Sequence, residues 1–329
     1  MLLSQYRRKD GSPQIVARDG TEAYEVATDQ TLYEVALACA DESVEIVPRI
    51  LDIGLRDAVD LADLCRSGRL LPPLLHPDPG RLHLTGTGLT HLGSASTRAA
   101  MHAKAGADES DSMRMFRRGL EGGRPEAGAA GVQPEWFYKG NGEALVAPRA
   151  PLVRPAFAED GGEEPEIAGI YVIGRDGEPC RIGFALANEF SDHVMEKRNY
   201  LYLAHSKLRQ ASIGPEIRVG PLPDSVEGTS RIRRGETIVF EKPFRSGEAN
   251  MSHSIANLEH HHFKYGIFRR PGDVHVHMFG TATLSYADGF VAEHGDVFEI
   301  EAAPFGLPLV NTLALSEASG AALQTVRVL

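Results

Sequence analysis

The sequence predicts an α+β protein that is mostly β, with a small α/β domain at its N-terminus. Beyond Trp136 the chain consists of short apolar runs separated by turn residues, among them EIAGIYVIGRDGEP, RIGFALANEF and DVFEIEAAPFG, and this pattern is typical of β-strands. Before that point, apolar residues recur at helical spacing in residues 31–40 and 54–66, which predicts two helices.

Residues 1–75 are predicted to form the small α/β domain. Residues 14–26 alternate weakly around Asp19-Gly20, a dipeptide that favours a hairpin turn, so a small sheet is expected to begin the chain. The two predicted helices follow this sheet. The proline-rich segment LPPLLHPDPG then favours a domain boundary.

Residues 76–134 are predicted to form a linker and a lid. A short strand and a small-residue helix are followed by GLEGGRPEAGAAGVQP, which is too rich in glycine and proline for a regular element. We therefore expect a mobile flap with its hinge. Residues 135–329 are predicted to form the mostly-β domain, with helical patterns at 192–208 and 249–264.

Composition limits the classes of partner and the location. The 329 residues include 34 Lys and Arg against 45 Asp and Glu, a formal net charge of −11, so neither a nucleic acid nor a membrane surface is expected as a partner. Cys39, Cys65 and Cys180 are widely separated and indicate neither a disulfide framework nor a thiolate zinc site. No stretch approaches about 18 consecutive apolar residues and no signal-peptide pattern is present. We expect a soluble, cytoplasmic protein.

The densest acidic cluster is Glu163-Glu164-Pro165-Glu166, which opens an apolar strand. Residues i and i+2 of an extended chain share a face, so Glu164 and Glu166 can point into one site. Carboxylates at this spacing suit Mg²⁺ or Mn²⁺, and a solvated acidic turn is the alternative interpretation. Glu189 ends the apolar run GFALANE, where a carboxylate needs a partner or a metal. It is the candidate third ligand.

Lys207 follows in the segment LAHSKLRQASIGPEI. An ammonium group there could neutralise the carboxylate of a substrate, and a surface lysine is the alternative. Trp136, Phe137 and Tyr138 are expected in the core, while Lys139 beside them could face the pocket.

The order of these motifs resembles the fumarylacetoacetate hydrolase superfamily. The shared motifs are Glu-x-Glu on a strand, the sequence GFALANEFS, a lysine before Gly-Pro, the sequence GTSRI, and Pro271-Gly272-Asp273 ahead of Gly280-Thr281-Ala282. The resemblance covers about residues 135–310. It implies that the C-terminal β-fold is that of the superfamily, that the protein is a homodimer, and that Mg²⁺ or Mn²⁺ is its cofactor.

The resemblance also implies roles for individual residues. Glu164, Glu166 and Glu189 match the metal carboxylates of the superfamily, and Lys207 matches its substrate lysine. The segment of residues 94–102 is similar to the lid of the superfamily, on which His102 is the proposed acid/base. The residues proposed for substrate binding are Asn188, Thr229, Thr281 and Arg98.

Two departures from the superfamily pattern change the reach of the site and the shape of its pocket. The third metal ligand is usually Asp and is Glu189 here, and the TGTP turn has become FGTA. The lid segment also has a stretched spacing, and the Asp that gives some members a fourth ligand has no evident counterpart.

Histidines offer a rival metal site. His275 and His277 share one face of a predicted strand, and the triplet of residues 260–262 lies upstream. A cupin-like centre for Fe or Zn would need a third histidine or a carboxylate at close spacing, and none follows. We therefore expect these histidines to hydrogen-bond around the pocket or at a subunit contact.

The chain is also similar, more loosely, to a bacterial branch linked to pentose and hexose catabolism, in which related members dehydrate 2-keto-3-deoxy sugar acids. The first hypothesis is therefore a metal-dependent lyase that dehydrates such a 2-oxo sugar acid. The alternatives are a C–C hydrolase of a 2,4-diketo, acylpyruvate-like acid and a non-catalytic sugar-acid-binding protein.

Overall fold

A computed structural model of the chain describes residues 1–93, 110–317 and 323–329. It contains two β-sheets with helices packed on them, which confirms the predicted α+β, mostly-β class. The strands are β1 (Leu2–Arg7), β2 (Pro13–Asp19), β3 (Glu22–Val26), β4 (Leu55–Ala58), β5 (Leu82–Gly88), β6 (Glu135–Asn141), β7 (Leu145–Val146), β8 (Leu152–Arg154), β9 (Pro165–Ile173), β10 (Pro179–Asn188), β11 (Ala211–Ile213), β12 (Ile217–Val219), β13 (Val226–Arg234), β14 (Thr237–Ser246), β15 (Val274–Met278), β16 (Val297–Ala302) and β17 (Leu309–Leu315). The α-helices are α1 (Leu32–Glu42), α2 (Ile46–Ile53), α3 (Leu61–Arg66), α4 (Asp111–Gly122), α5 (His193–Arg198), α6 (Leu203–Lys207) and α7 (Ile255–Phe263).

The larger sheet runs in the order β4-β3-β2-β1-β12-β10-β9-β15-β5-β6, and the smaller one in the order β14-β13-β16-β17-β8. Strand β11 pairs with both β10 and β7. Because β7 follows β6 closely in the chain, this pairing curls the large sheet. It brings the C-terminal end of β6 next to the C-terminal end of β10. The two ends enclose the site described below.

The N-terminal strands belong to the same sheet as the strands that carry the acidic motifs. Leu2 and Leu3 of β1 pair with Arg218 and Ile217 of β12, which in turn pairs with β10. The predicted hairpin is present as β2 and β3, with Gly20 in the left-handed region at φ 57°. The chain thus builds one continuous sheet across the predicted boundary near residue 75, and the division into domains stays a prediction.

Helix α1 packs on the large sheet and forms with it the main apolar core. Thr31 and Glu34 form a capping box at its start, which satisfies two of the free backbone N–H groups there. Its buried face includes Leu32, Val35 and Cys39. A second core lies between the two sheets, around Phe184, Phe244 and other apolar side chains.

The predicted helix over residues 54–66 is wrong in its first half. Gly54 lies at φ 93° and ends α2, so the chain leaves the helical region there. Residues Leu55–Ala58 form β4 on the edge of the large sheet, and only Leu61–Arg66 are helical. The missed helix α2 tolerates Pro48 because the proline stands in its first turn, where the missing N–H breaks no hydrogen bond.

Part of the predicted flap is a docked helix. Ser110 caps α4 through a hydrogen bond from the backbone N–H of Met113. A Cβ on Gly119 would lie 2.7 Å from Nε2 of His253, so glycine allows the helix to approach the segment just before α7 closely. After the helix, Gly131 donates a backbone hydrogen bond of 2.8 Å to Asn257. These glycines allow close packing, and the mobile flap stays a prediction.

None of the helices in the described ranges is long and apolar enough to cross a lipid bilayer.

Candidate metal site and its cavity

Three carboxylates meet where strands β9 and β10 lie side by side. Glu166 stands opposite Ala187 in the antiparallel register, and the backbone N–H of Glu189 donates a hydrogen bond of 3.1 Å to the carbonyl of Glu164. All three glutamates are buried, and one carboxylate oxygen of each lies within 4.8 Å of the others. The two acidic motifs are well separated in the chain, and this pairing brings them together.

Glu166 has an oxygen that the described protein leaves unpaired. Its Oε2 accepts a hydrogen bond of 2.6 Å from the backbone N–H of Gly280, while its buried Oε1 has no hydrogen-bond partner among the described residues. Burial raises the pKa of Glu166 well above its usual value, and the charges of Glu189 and Glu164 raise it further. A buried carboxylate in this position needs a cation or a proton.

Lys207 supplies one positive charge to this cluster. Its Nζ contacts Oε1 of Glu164 and lies 3.2 Å from Oε2 of Glu189. Burial alone would lower the pKa of Lys207, but the two carboxylates outweigh it and raise the pKa well above its usual value. The same ammonium group lies 5.1 Å from the centre of the Phe137 ring, within cation–π range. Lys207 is therefore a buried member of the site and not a surface lysine.

His193 contacts the same oxygen of Glu164 as Lys207 does. Its Nε2 is 3.2 Å from Oε1 of Glu164, and its Nδ1 is 3.2 Å from Oδ2 of Asp160. Burial alone would lower the pKa of His193, but the hydrogen bonds to the two carboxylates outweigh it and raise the pKa to about 10. The helix that begins at His193 is capped by Asp192, whose side chain accepts a hydrogen bond from the backbone N–H of Met195.

The charges of Lys207 and His193 act mainly on Glu164. Burial alone would raise the pKa of this glutamate, but Lys207 and His193 hold it well below its usual range. The pKa of Glu189, in contrast, is raised by burial and by the charge of Glu164, although Lys207 opposes the shift. Glu164 is therefore ionised in this cluster. Glu166 and Glu189 need a further positive charge nearby before they ionise.

This donor set fits a hard divalent cation. One carboxylate oxygen of each glutamate converges, the Glu166 carboxylate has one oxygen without a partner among the described residues, and oxygen ligands of this kind suit Mg²⁺ or Mn²⁺. The buried surroundings would strengthen the attraction between the carboxylates and the ion. The residues that would hold the cation are Glu164, Glu166 and Glu189.

The carboxylates face a cavity of about 30 Å³, which is room for a cation and a water molecule. Beyond the triad, Lys207 and His193, its described wall includes Thr87, Glu135, Phe137, Glu196, Thr281 and Leu284. Most of these side chains are buried, so the cavity is a water-poor environment.

The structure brings together some of the proposed substrate-binding residues and not others. Thr281 lies in the cavity wall, and its Oγ1 accepts a hydrogen bond of 3.2 Å from the backbone N–H of Thr283. Arg98 and His102 lie outside the described residues. Their proposed roles therefore stay predictions.

Asn188 and Thr229 do not line the cavity. Glu166 stands opposite Ala187, so the two share one face of the β9–β10 pair, and Asn188 must point to the opposite face. Thr229 lies on β13 in the smaller sheet, opposite Pro243 and Glu301. The proposal that either side chain contacts the substrate stays a prediction, which the cavity lining does not support.

Sequence reasoning missed several cavity residues. Glu135 and Phe137 are buried on the same face of β6 and line the cavity, so the expected core residue Phe137 lies at the site instead. The signal was the alternation itself, but it does not say which face of the strand meets the cavity. Glu196 was missed because it lies on α5, whose buried face becomes visible only when the helix is packed.

The rival histidine centre is not formed by the described residues. His262 Nε2 and His275 Nδ1 are 2.9 Å apart, and the His277 Nδ1 lies 2.8 Å from Oγ1 of Thr85. The rings of His262 and His277 stack at 4.5 Å. Among the described residues, the glutamate triad is the group of three metal-binding side chains whose ligand atoms come together. The histidines form a hydrogen-bonded and stacked cluster beneath α7.

Comparison with known proteins gives matches at the level of structure. No protein-family profile and no curated protein sequence matches the chain. A 2-keto-3-deoxy-D-arabinonate dehydratase in its apo form aligns over 97% of this chain and 100% of its own, with a TM-score of 0.71 and 20% identity. A 2-keto-3-deoxy-D-arabinonate dehydratase complexed with magnesium and 2,5-dioxopentanoate aligns over the same shares, with a TM-score of 0.69 and 20% identity.

A fumarylacetoacetate hydrolase from the psychrophile Exiguobacterium antarcticum aligns over 96% of this chain and 100% of its own, with a TM-score of 0.59 and 18% identity. These solved structures share one architecture with the chain along almost its whole length. The resemblance drawn from the ordered motifs is therefore confirmed in three dimensions. The chain has the fold of the fumarylacetoacetate hydrolase superfamily.

Proposed function

We propose that this protein is a hydro-lyase that removes water from a 2-keto-3-deoxy sugar acid with the help of a divalent cation. The observation that carries the proposal is the convergence of Glu164, Glu166 and Glu189 on a buried cavity beside Lys207. A fold that aligns end to end with a 2-keto-3-deoxy-D-arabinonate dehydratase supports the choice of substrate class.

The three carboxylates would hold Mg²⁺ or Mn²⁺. When bound, the cation supplies Lewis-acid chemistry, because it stabilises the negative charge that develops on the 2-oxo group of the substrate as the C3 proton leaves. The reaction removes that proton and the hydroxyl group on C4, which leave together as water, and a C3–C4 double bond forms. The protein's own side chains must therefore bind an anionic substrate and move one proton.

Lys207 is the residue proposed to bind the negative end of the substrate. Its Nζ faces the cavity together with Glu164 and Glu189, so it can pair with the carboxylate or the 2-oxo group of an acid that enters there. An ammonium group in a buried site forms a strong, charge-assisted hydrogen bond. Arg98 and Thr281 are proposed to bind the substrate further along its length.

His102 is proposed to take the C3 proton and to return it to the leaving hydroxyl. A histidine suits both transfers because its ordinary pKa of ~6.5 lies near neutral pH. His193 lies in the cavity wall and is the alternative among the described residues for returning the proton to the leaving hydroxyl, because its raised pKa keeps it protonated. Its two nitrogens are both occupied by carboxylates, which fixes the orientation of its ring.

A C–C hydrolase of a 2,4-diketo acid is the second candidate. The same charge stabilisation would make the 2-oxo fragment a leaving group after attack by water. A fumarylacetoacetate hydrolase shares the fold of this chain, which favours keeping this candidate. A sugar-acid-binding protein without activity is the third. A homodimer and a cytoplasmic location, both expected from the sequence, stay predictions.

A mass-spectrometric screen separates these candidates. Purified protein with Mg²⁺ or Mn²⁺ is incubated with 2-keto-3-deoxy pentonates, 2-keto-3-deoxy hexonates and 2,4-diketo acids. The dehydratase proposal expects loss of 18 mass units from a sugar acid without release of pyruvate. Release of pyruvate from a diketo acid would support the hydrolase instead, and binding without turnover of any compound would support the non-catalytic protein.

A further inference from the structure

A second buried lysine, Lys139, lies behind the carboxylates and has no part in the proposed reaction. It stands on β6 with a side chain that is 0% exposed. Its Nζ is 3.2 Å from Oε1 of Glu189, 2.5 Å from the carbonyl oxygen of Phe190 and 3.1 Å from the carbonyl oxygen of Lys207. An ammonium group has three hydrogens, so these three acceptors use all of them.

These contacts join three elements that are distant in the chain. The Lys139 side chain comes from β6, Glu189 and Phe190 follow β10, and Lys207 is the last residue of α6. Glu189 is thereby held at both oxygens, since Lys139 binds Oε1 and Lys207 binds Oε2. The hydroxyl of Ser191 adds a hydrogen bond of 3.0 Å to Oε1. The third carboxylate of the triad is thus oriented by Lys207 from within the cavity wall and by Lys139 and Ser191 from behind it.

A role in packing alone does not account for a lysine at this position. An ammonium group without exposure to water is costly to bury unless it is fully paired, and an apolar side chain of similar length would fill the space without that cost. The feature that an apolar side chain cannot replace is the set of three hydrogen bonds. Two of their acceptors belong to Glu189 and Lys207, the residues proposed to bind the metal and the substrate.

We propose that Lys139 is a positioning residue that fixes the carboxylate of Glu189 as a metal ligand and couples it to the end of α6. The inference rests on the proposed carboxylate metal site. Groups that hydrogen-bond to metal ligands typically change metal affinity about 10–100-fold when they are removed. Loss of the ammonium charge would act in the opposite direction, and we expect the loss of orientation to outweigh it.

The test measures Mn²⁺ binding and does not depend on activity. Protein freed of metal with a chelator is titrated with Mn²⁺, and free Mn²⁺ is followed by electron paramagnetic resonance. Lys139→Met should bind Mn²⁺ about 10–100-fold more weakly than the wild type. Tyr138→Phe is the matched control, because the next residue back along β6 points to the opposite face of the strand. It should bind Mn²⁺ like the wild type.

The same change made in a Glu189→Gln variant distinguishes a positioning role of Lys139 from a structural role. If Lys139 acts through Glu189, the Lys139→Met change should have little further effect on Mn²⁺ affinity in a Glu189→Gln background. An equal loss of affinity in both backgrounds, or no loss in the wild-type background, would overturn the proposal. If Lys139→Met does not fold, Lys139→Arg keeps the charge but not the geometry of the three donors, and the same pair of measurements applies.

The outcomes also separate this inference from the proposed function. A wild-type protein that binds no Mn²⁺ overturns the metal site and the role of Lys139 together. A protein that shows the expected dependence of Mn²⁺ binding on Lys139 and Glu189, yet dehydrates no sugar acid, supports the positioning role and overturns the dehydratase.

Discussion

The backbone N–H of Gly280 donates a hydrogen bond of 2.6 Å to Oε2 of Glu166. The FGTA turn thus orients a metal-site carboxylate with its main chain, although its sequence departs from the superfamily pattern. Gly280 lies at φ 91°, and a Cβ there would lie 2.5 Å from Oγ1 of Thr90 and 2.7 Å from the carbonyl oxygen of Thr87. A glycine is therefore required at this position for two separate reasons. The backbone is in the left-handed region, and there is no room for a Cβ atom.

We predict that Gly280→Ala weakens metal binding as well as stability. The left-handed backbone alone should cost about 1–2 kcal/mol, and the contact with Thr90 should displace the N–H from Glu166. The measurements are Mn²⁺ affinity and the free energy of unfolding in urea. Gly289→Ala is the matched control, because Gly289 lies at φ 81° and a Cβ there would meet no described atom within 4 Å. It should lose similar stability but keep its Mn²⁺ affinity. Equal Mn²⁺ affinity in both variants would contradict the prediction.

Glu166→Gln should abolish activity while the fold stays intact. Removal of one charged ligand from a set of three should weaken metal binding by at least about 10–100-fold. Binding of Mn²⁺ and turnover of the sugar acid are measured side by side, together with the melting temperature. Glu163→Gln is the control, because the Glu163 carboxylate is buried but binds the backbone and hydroxyl of Ser285 instead of facing the cavity. Full activity of Glu166→Gln, or of the wild type in excess chelator, would rule out the carboxylate metal site.

Lys207→Met should lower kcat/KM by about 10²-fold or more, because it removes a buried positive charge that is proposed to pair with the substrate. The effect is measured by steady-state kinetics with the sugar acid that the wild type dehydrates. The melting temperature serves as a check on folding. Lys264→Met, a change at an exposed lysine after α7, provides the comparison and should leave kinetics unaltered. Unchanged kinetics in Lys207→Met would show that the ammonium group of Lys207 takes no part in the reaction.

His102→Asn should leave the binding of a 2-oxo acid inhibitor such as pyruvate almost unchanged while kcat falls by about 10²–10⁴-fold. The reason is that an acid/base group acts on the proton and is not needed to hold the carboxylate. Inhibition constants and kcat are measured on the same preparation. A kcat within about threefold of the wild type would move the role to His193, and His193→Gln would then be the variant to measure.

Buried histidines predict a loss of stability in mild acid. Burial lowers the pKa of His277 to about 3 and that of His91 to about 3, against ~6.5 in the unfolded chain. Below pH 6.5 the unfolded state therefore binds protons that the folded state does not. The stability from each histidine is complete above about pH 6.5 and falls by up to about 1.4 kcal/mol per pH unit below it.

Urea unfolding at pH 7.5 and pH 5.5 measures this effect. His277→Gln should show a smaller difference in unfolding free energy between the two pH values than the wild type, because one of the groups that take up a proton on unfolding is gone. Replacing the exposed His294 by Gln should preserve the wild-type difference. An identical pH dependence in His277→Gln and the wild type would contradict the assignment.

The three glutamates of the triad could be predicted because each is indicated by the residues next to it in the sequence. Pro165 restricts the chain between Glu164 and Glu166 to an extended form, and Glu189 ends a run too apolar to leave a carboxylate unpaired. Lys139 could not be assigned in the same way. Its partners come from β10 and α6, and only the curl of the large sheet brings them to β6.

Two differences between the sequence-based expectations and the structure have a common physical origin. Residues 54–66 carry helical periodicity, but the pairing of Leu55 with Val26 on the sheet edge overrides it. Asn188 shares a motif with Glu189 but not a face of the strand, because neighbouring residues of a strand point in opposite directions. Adjacency in sequence therefore misleads wherever the site is built on strands.

The strand order bears on how the chain folds while it is being synthesised. Strand β15 separates β9 from β5 in the sheet but follows both in sequence. A ribosome that has released residues 1–270 has made all three carboxylates and Lys139, yet the central strand and the Gly280 amide are missing. The edges of β9 and β5 stay open until then, which makes the nascent chain a target for chaperones and for aggregation. The hydrogen bond that orients Glu166 therefore forms late, because it waits for the synthesis of β15 and the turn that follows it.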